Sequence, residues 1–287
     1  GRGLYELLCR LDSSDDEEII SAVERGRAAL KKIIRREALW FNVTSTREIF
    51  DGLDEAVKRL LDGIDGFEDK CGTTAKVGSI GEIREGRGPL YDLKPTGKAY
   101  KSASDVNYVA LAGIHECRDP KETAHLIVLS SIVTNEFLWN NIRILGGAYG
   151  CGFSFIRPSR MISFYSYRDP SIGKTLETFK AAAEYIRNFS VDEREMTKFV
   201  IGTIGTLDTP MTPDTKGKIS LNAYIIGFDA GWFNDRRSAI LDTNCEDIRK
   251  LADVVEKVTD MGNICVVGNE SDIEEEKDLF ENIYNLF

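Results

Sequence analysis

Histidine is nearly absent from this sequence: 287 residues hold only His115 and His125. A helical zinc site needs two histidines at i and i+4 on one face, with a carboxylate alongside. His115-Glu116 runs instead into Cys117-Arg118-Asp119-Pro120, and proline breaks the helix. What remains for a metal is the trio His115, Glu116 and Cys117, without helical spacing, while His125 reads as a packed core residue on an apolar segment. No G-x-S-x-G elbow is present, and the one cysteine near a histidine, Cys117 beside His115, lacks a third group to orient it. The six cysteines, Cys9, Cys71, Cys117, Cys151, Cys245 and Cys265, are scattered with no C-x-x-C pair. That spacing predicts free thiols in a reducing intracellular compartment rather than a disulfide framework. No apolar run reaches the roughly 18–20 residues of a membrane span, and no charged-then-apolar start reads as a signal peptide. A basic excess is also missing. The formal net charge is −10, which argues against a general nucleic-acid binder and leaves basic peptides as permitted partners.

What is present is a chain of alternating helical and strand-like patterns. Apolar spacing predicts helices over 16–38, capped by Ser14, Asp15 or Asp16, and over 47–62 after Thr44-Ser45-Thr46. Between them Leu39-Trp40-Phe41-Asn42-Val43 reads as a buried strand. Residues 63–98 are rich in glycine and proline and read as a linker. Strands are predicted at 104–111, 149–156, 161–167 and 263–267. Pro120 opens a helix over 121–143 that is apolar nearly all round and therefore buried. Further helices are predicted at 172–188, 192–206, 245–258 and 271–286, with more helix before 240. The helix–strand–helix ending of each part suggests two copies of one α/β unit, the first truncated to its tail.

The segment Trp139 to Gly152 is the centre of this pattern. A helix ends at Gly146-Gly147, and Ala148-Tyr149-Gly150-Cys151-Gly152 leads into a strand. Phosphate-binding motifs need strand, glycine loop, then helix N-terminus. Here the order is reversed and the glycines meet the negative end of the helix dipole, so a dinucleotide site is rejected. A C-cap and tight turn account for one or two of the glycines. They do not require Arg143 or Tyr149.

Trp139 with Arg143-x-x-Gly146-Gly147-Ala148-Tyr149-Gly150 resembles the C-terminal half of pitrilysin-type zinc metallopeptidases, in the presequence-protease and falcilysin-like branch. Val106-Asn107-Tyr108-Val109, Ser166-Tyr167-Arg168-Asp169-Pro170 and Ile201-Gly202-Thr203-Ile204 through Asp208, Pro210 and Lys216-Gly217 extend the likeness in order. The resemblance implies an α/β (α+β) fold of the LuxS/processing-peptidase-like metallohydrolase type, a mostly antiparallel sheet packed against helices. Residues 1–65 would be the tail of a preceding related domain, 66–98 a linker and 99–287 a domain lacking the zinc motif. It implies a clamshell endopeptidase for unstructured peptides whose zinc is bound by an H-x-x-E-H motif in an N-terminal half, with none in this segment, which alone would be inactive. Arg143 and Tyr149 would act catalytically on the oxyanion, with Gly146, Gly147 and Ala148 against substrate. The partners implied are that N-terminal half and unstructured peptides, with no nucleic acid and no membrane. Two alternatives stand beside this one: a non-catalytic structural or regulatory subunit of a processing peptidase, and a small-molecule enzyme using His115 and Cys117.

Overall fold

A computed structural model describes residues 2–34, 39, 41–65 and 96–286. The chain divides into two compact units, Gly1–Gly86 with Met211–Leu221, and Arg87–Pro210 with Asn222–Phe287.

The first unit is helical where described. Helices α1 (Arg2–Asp12) and α2 (Asp16–Ile33) are followed by α3 (Arg47–Phe50) and α4 (Leu53–Asp65). The cap of α2 is Asp15, whose carboxylate accepts from the Glu18 N–H at 2.9 Å. Three acids in its first turn and Lys31 and Lys32 in its last suit the helix dipole. The expected strand over 39–43 does not form: Phe41, Asn42 and Val43 have no regular structure, and Phe41 and Val43 are exposed. Among the described residues no strand pairs with its backbone, and an unpaired short apolar run is not held as a strand. Trp40, residues 35–38 of the expected helix and 66–95 of the expected linker lie outside the described residues. The predicted two-copy reading loses its first strand with this segment.

The second unit is built on a six-stranded sheet, which bears out the expected α/β sheet-and-helix fold. Its strands are β1 (Gly97–Ser102), β2 (Asn107–Ile114), β3 (Gly150–Ile156), β4 (Met161–Asp169), β5 (Ile264–Asn269) and β6 (Asn282–Asn285), in the order β3-β4-β2-β5-β1-β6. The β3–β4, β4–β2 and β2–β5 pairs are antiparallel; β5–β1 and β1–β6 are parallel. The unit's helices are α5 (Pro120–Ile132), α6 (Gly173–Arg187), α7 (Glu193–Leu207), α9 (Ala230–Leu241), α10 (Cys245–Arg249), α11 (Ala252–Asp260) and α12 (Glu270–Glu275), while α8 (Pro213–Ile226) belongs to the first unit as far as Leu221. Gly97 and Lys98, placed in the linker by composition, begin β1. The helix expected over 271–286 stops at Glu275, and the chain returns through Asn282–Asn285 as an edge strand.

One face of the sheet is covered and the other is open. Alternation along β2 buries Asn107, Val109 and Leu111 and leaves Tyr108 outward; β4 buries Ile162, Phe164 and Ser166 and turns Tyr165 and Tyr167 outward. Phe153, Phe164 and Phe179 join strands to α6 at ring separations of 4.8 and 5.3 Å. Helix α5 contributes Ala124, Leu126, Val128, Leu129 and Ile132, all fully buried, in agreement with its all-round apolar sequence.

A buried polar knot ties β2, β4 and β5 together. The Asn107 amide donates to the Asp169 carbonyl at 3.1 Å and to Asp272 Oδ2 at 2.7 Å, while its Oδ1 accepts from the Asn269 N–H at 3.0 Å. Asp169, 1% exposed, accepts from the Ser171 N–H and from Thr175 Oγ1. Gly268 lies so close that a Cβ there would overlap Asn107 Oδ1. Asn107→Ala should lower stability by roughly 3 kcal/mol, because more than one buried polar group loses its partner. Gly268→Ala should destabilise through the same amide. Urea unfolding of both variants with midpoints at the wild-type value would show that the knot contributes nothing.

Candidate active-site surface

The helix begun at Pro120 does not stay an α-helix. Asp119 caps it and Pro120 takes the first-turn position. From Val133 to Leu145 it widens into a π-helix. Such segments are rare and recur at functional sites. Thr134 fastens this segment to β3: its Oγ1 accepts from the Phe153 N–H at 3.0 Å and donates to the Phe153 carbonyl at 3.3 Å.

The segment ends in the glycine turn. Gly147 has φ +82°, a conformation in which any side chain is strained. Its N–H donates to the Arg143 carbonyl and the Ala148 N–H to the Ile142 carbonyl, both at 3.1 Å. Of the three residues expected against substrate, Gly146 and Gly147 are exposed and Ala148 is buried, with the N–H groups of all three engaged inside the turn.

Arg143 and Tyr149 come together across this turn. The Arg143 guanidinium stands 4.1 Å from the centroid of the Trp139 ring and 5.5 Å from that of Tyr149. Trp139 lies one turn back on the same helix, so it steers the guanidinium. Tyr149 is 57% exposed, its ring tilted against Tyr167 at 5.6 Å. Tyr167 in turn lies over Gly150, where a Cβ would collide with the ring. Ile144 and Leu145, at the tip of the turn, are 62% and 79% exposed. The surface thus offers guanidinium and phenol donors beside an apolar tip.

Sequence reasoning passed over Arg168 as a site residue. Its guanidinium is 5.6 Å from the Tyr149 ring centroid, and its carbonyl accepts from the Tyr149 N–H at 3.2 Å. Its motif, Ser166-Tyr167-Arg168-Asp169-Pro170, was legible; its proximity to Tyr149 comes from strand pairing and was not.

The other chemistry-bearing cluster is closed on itself. His115, Cys117 and Glu122 place donor atoms within 4.8 Å of one another. Glu116, expected in this trio, instead pairs with Arg160. His115 Nε2 and Glu122 Oε1 share a hydrogen bond at 2.9 Å, and Cys117 Sγ contacts Thr123 Oγ1 at 3.3 Å. Burial pushes the Cys117 thiol up to about 11, so it is protonated at neutral pH, and Arg157 adds a positive charge nearby. With its donors already paired to one another and to Thr123, and the Arg157 guanidinium close by, the cluster stands as a closed hydrogen-bonded group. Burial also raises Cys151 to about 11, and Cys9, Cys117, Cys151, Cys245 and Cys265 are free thiols. His125, the one histidine of α5, lies 4.0 Å from Asp247 Oδ2, and the helix sequence holds no second histidine beside it. The zinc helix pattern therefore does not fit this chain. Among the described residues no helix is long and apolar enough to cross a membrane.

Helix α5, the π segment, the glycine turn and strands β2 to β4 all fall within one known domain family. The PreP C-terminal domain model matches residues 98–270. The chain belongs to that family, and so to the C-terminal portion of the pitrilysin-type peptidases. It is 37% identical over 290 residues to Protein HypA of Clostridium perfringens, covering 100% of this chain and 28% of that protein. It is 29% identical over 289 residues to presequence protease 1, chloroplastic/mitochondrial, of Arabidopsis thaliana, covering 100% of this chain and 25% of the relative. The chain thus spans about a quarter of the length of these relatives. Among solved structures it is similar to the peptidase M16 inactive domain from Pseudomonas fluorescens, with a TM-score of 0.48, 14% identity and coverage of 62% of this chain and 45% of that one.

His125 gives the surface's neighbouring helix a pH dependence. Burial holds its pKa below the ordinary 6.5, outweighing the nearby Asp247 charge. The unfolded chain then takes up the proton first, so stability is complete above about pH 6.5 and falls as pH drops through that value toward the folded pKa. His125→Gln should flatten this decline below about pH 6.5 in chemical-denaturation curves; an unaltered slope would remove His125 as its source.

Proposed function

We propose that this chain is the zinc-free C-terminal part of a clamshell metalloendopeptidase that degrades unstructured peptides, supplying chamber wall and an oxyanion-stabilising pair. The observation that carries this is the convergence of Arg143 and Tyr149 on one exposed surface, with Trp139 and Tyr167 holding each in place. When a peptide carbonyl is attacked, negative charge grows on its oxygen. A guanidinium and a phenol O–H aimed at that oxygen bind it more strongly in the transition state than in the ground state. Arg143 is suited to this because its guanidinium presents a rigid, planar fork of N–H donors. The N–H groups of Gly146, Gly147 and Ala148 serve the turn, so we assign substrate contact to the exposed, side-chain-free backbone of Gly146 and Gly147, with buried Ala148 closing the turn.

Zinc would polarise the same carbonyl, held by an H-x-x-E-H motif in an upstream half, which is the partner this reading requires. Exposed Ile144 and Leu145 would form part of the chamber wall, suited to apolar side chains of an unfolded peptide. The apolar stripe of α2, with Ile20, Val23 and Leu30 exposed, is what the rest of a preceding domain would cover. The organelle names borne by relatives and the scattered free thiols both favour a reducing compartment, cytoplasm or organelle.

In the full-length enzyme, Arg143→Lys and Tyr149→Phe should each lower kcat by about 10²–10³, the range for one lost oxyanion donor, with KM little changed. Steady-state cleavage of an unstructured peptide measures this. Wild-type turnover in both variants would remove the pair from the mechanism.

A further inference from the structure

Arg168 sits in a conformation that its side chain opposes. Its φ is +51°, in the left-handed region, where non-glycine residues are strained. The strand register explains where the strain lies. Asn107 pairs with Asp169 and Tyr108 with Tyr167, so Arg168 is the extra residue of a β-bulge. A bulge residue in this conformation is ordinarily glycine, and bulges near sites re-aim a side chain. The bulge is pinned on its far side by the buried knot of Asn107 and Asp169. On its near side the Arg168 carbonyl receives the Tyr149 N–H, and the exposed guanidinium stands 5.6 Å from the Tyr149 ring.

We propose that Arg168 is a positioning residue for Tyr149: the bulge turns its carbonyl and its guanidinium toward the same tyrosine, fixing both the backbone and the ring from which the phenol O–H projects. The inference rests on the assignment of Arg143 and Tyr149 to the reaction. Arg168 itself touches no reacting atom. Its carbonyl contact survives any substitution that keeps the bulge, whereas its ring contact requires a cation. Arginine is kept at a place where glycine would relax the backbone, and the ring contact is what glycine would lose.

The test is turnover of an unstructured peptide by the full-length enzyme, paired with thermal unfolding. Arg168→Met should lower kcat roughly two- to fivefold, the size of one exposed cation–π contact, with KM unchanged. Arg168→Lys, which keeps a cation at the ring, should retain most of the rate. Arg168→Gly should unfold at the wild-type temperature or above it and still lose rate, a combination that a merely structural arginine would not give. In a Tyr149→Ala background the Arg168→Met loss should vanish. Wild-type kcat in Arg168→Met, or an equal loss with and without Tyr149, overturns the positioning role. If Arg143→Lys and Tyr149→Phe still lose rate in that case, the site assignment stands and only the role of Arg168 fails. Full activity in all of these variants removes both.

Discussion

One buried amide holds the sheet in the form that the surface requires. Asn107 is fully buried and bonds Asp169, Asp272 and Asn269 from three different segments. A buried polar group costs stability unless each donor and acceptor is met, so this side chain tolerates few arrangements of its neighbours. Gly268 leaves no room for it to shift. The knot therefore fixes the end of β4, where the chain bulges, and the bulge presents Arg168 to Tyr149. Packing that is indifferent to chemistry in this way decides where chemistry-bearing groups stand.

A second constraint acts from the helix side. The π segment adds width to the helix just before the turn, and Gly147 ends it in a left-handed residue. Thr134 anchors the segment to edge strand β3, and the turn spends its own N–H groups on Ile142 and Arg143. Arg143 and Tyr149 consequently project from two elements with little freedom relative to each other. Rigid supports with exposed heads suit groups that must meet a developing charge without reorganising.

Much of this was readable in the chain, and the misses have physical causes. The cap at Asp15, the proline at the start of α5 and the strands β3 and β4 follow from local preferences that tertiary packing did not overrule. Strand β6 was read as helix because Asn282–Asn285 is too short for period-two alternation to show, and it is set by pairing with β1. The run at 41–43 failed for the opposite reason, having strand-like residues but no partner strand among the described residues. The π-helix was invisible because its extra residue per turn leaves composition unchanged. Arg143 and Tyr149 were legible only as a motif, since spacing alone cannot say that the two meet. Arg168 was missed because non-glycine residues give no local warning of a left-handed backbone.

The exposure of Tyr149 is the property that a half-site needs. In open solvent a guanidinium or a phenol gains little from an anion, because water competes and salt screens. The same groups gain far more once water is excluded. A complete active site would bury them; here the Tyr149 ring is left exposed, as are Trp139, Ile144 and Leu145 of the segment that carries Arg143. On the proposed reading these apolar groups meet the opposing half, closure removes water, and only then do Arg143 and Tyr149 act at full strength. The chain's net charge of −10 is no obstacle, since at contact range local groups weigh most, and two guanidinium groups, Arg143 and Arg168, stand 5.5 and 5.6 Å from the Tyr149 ring.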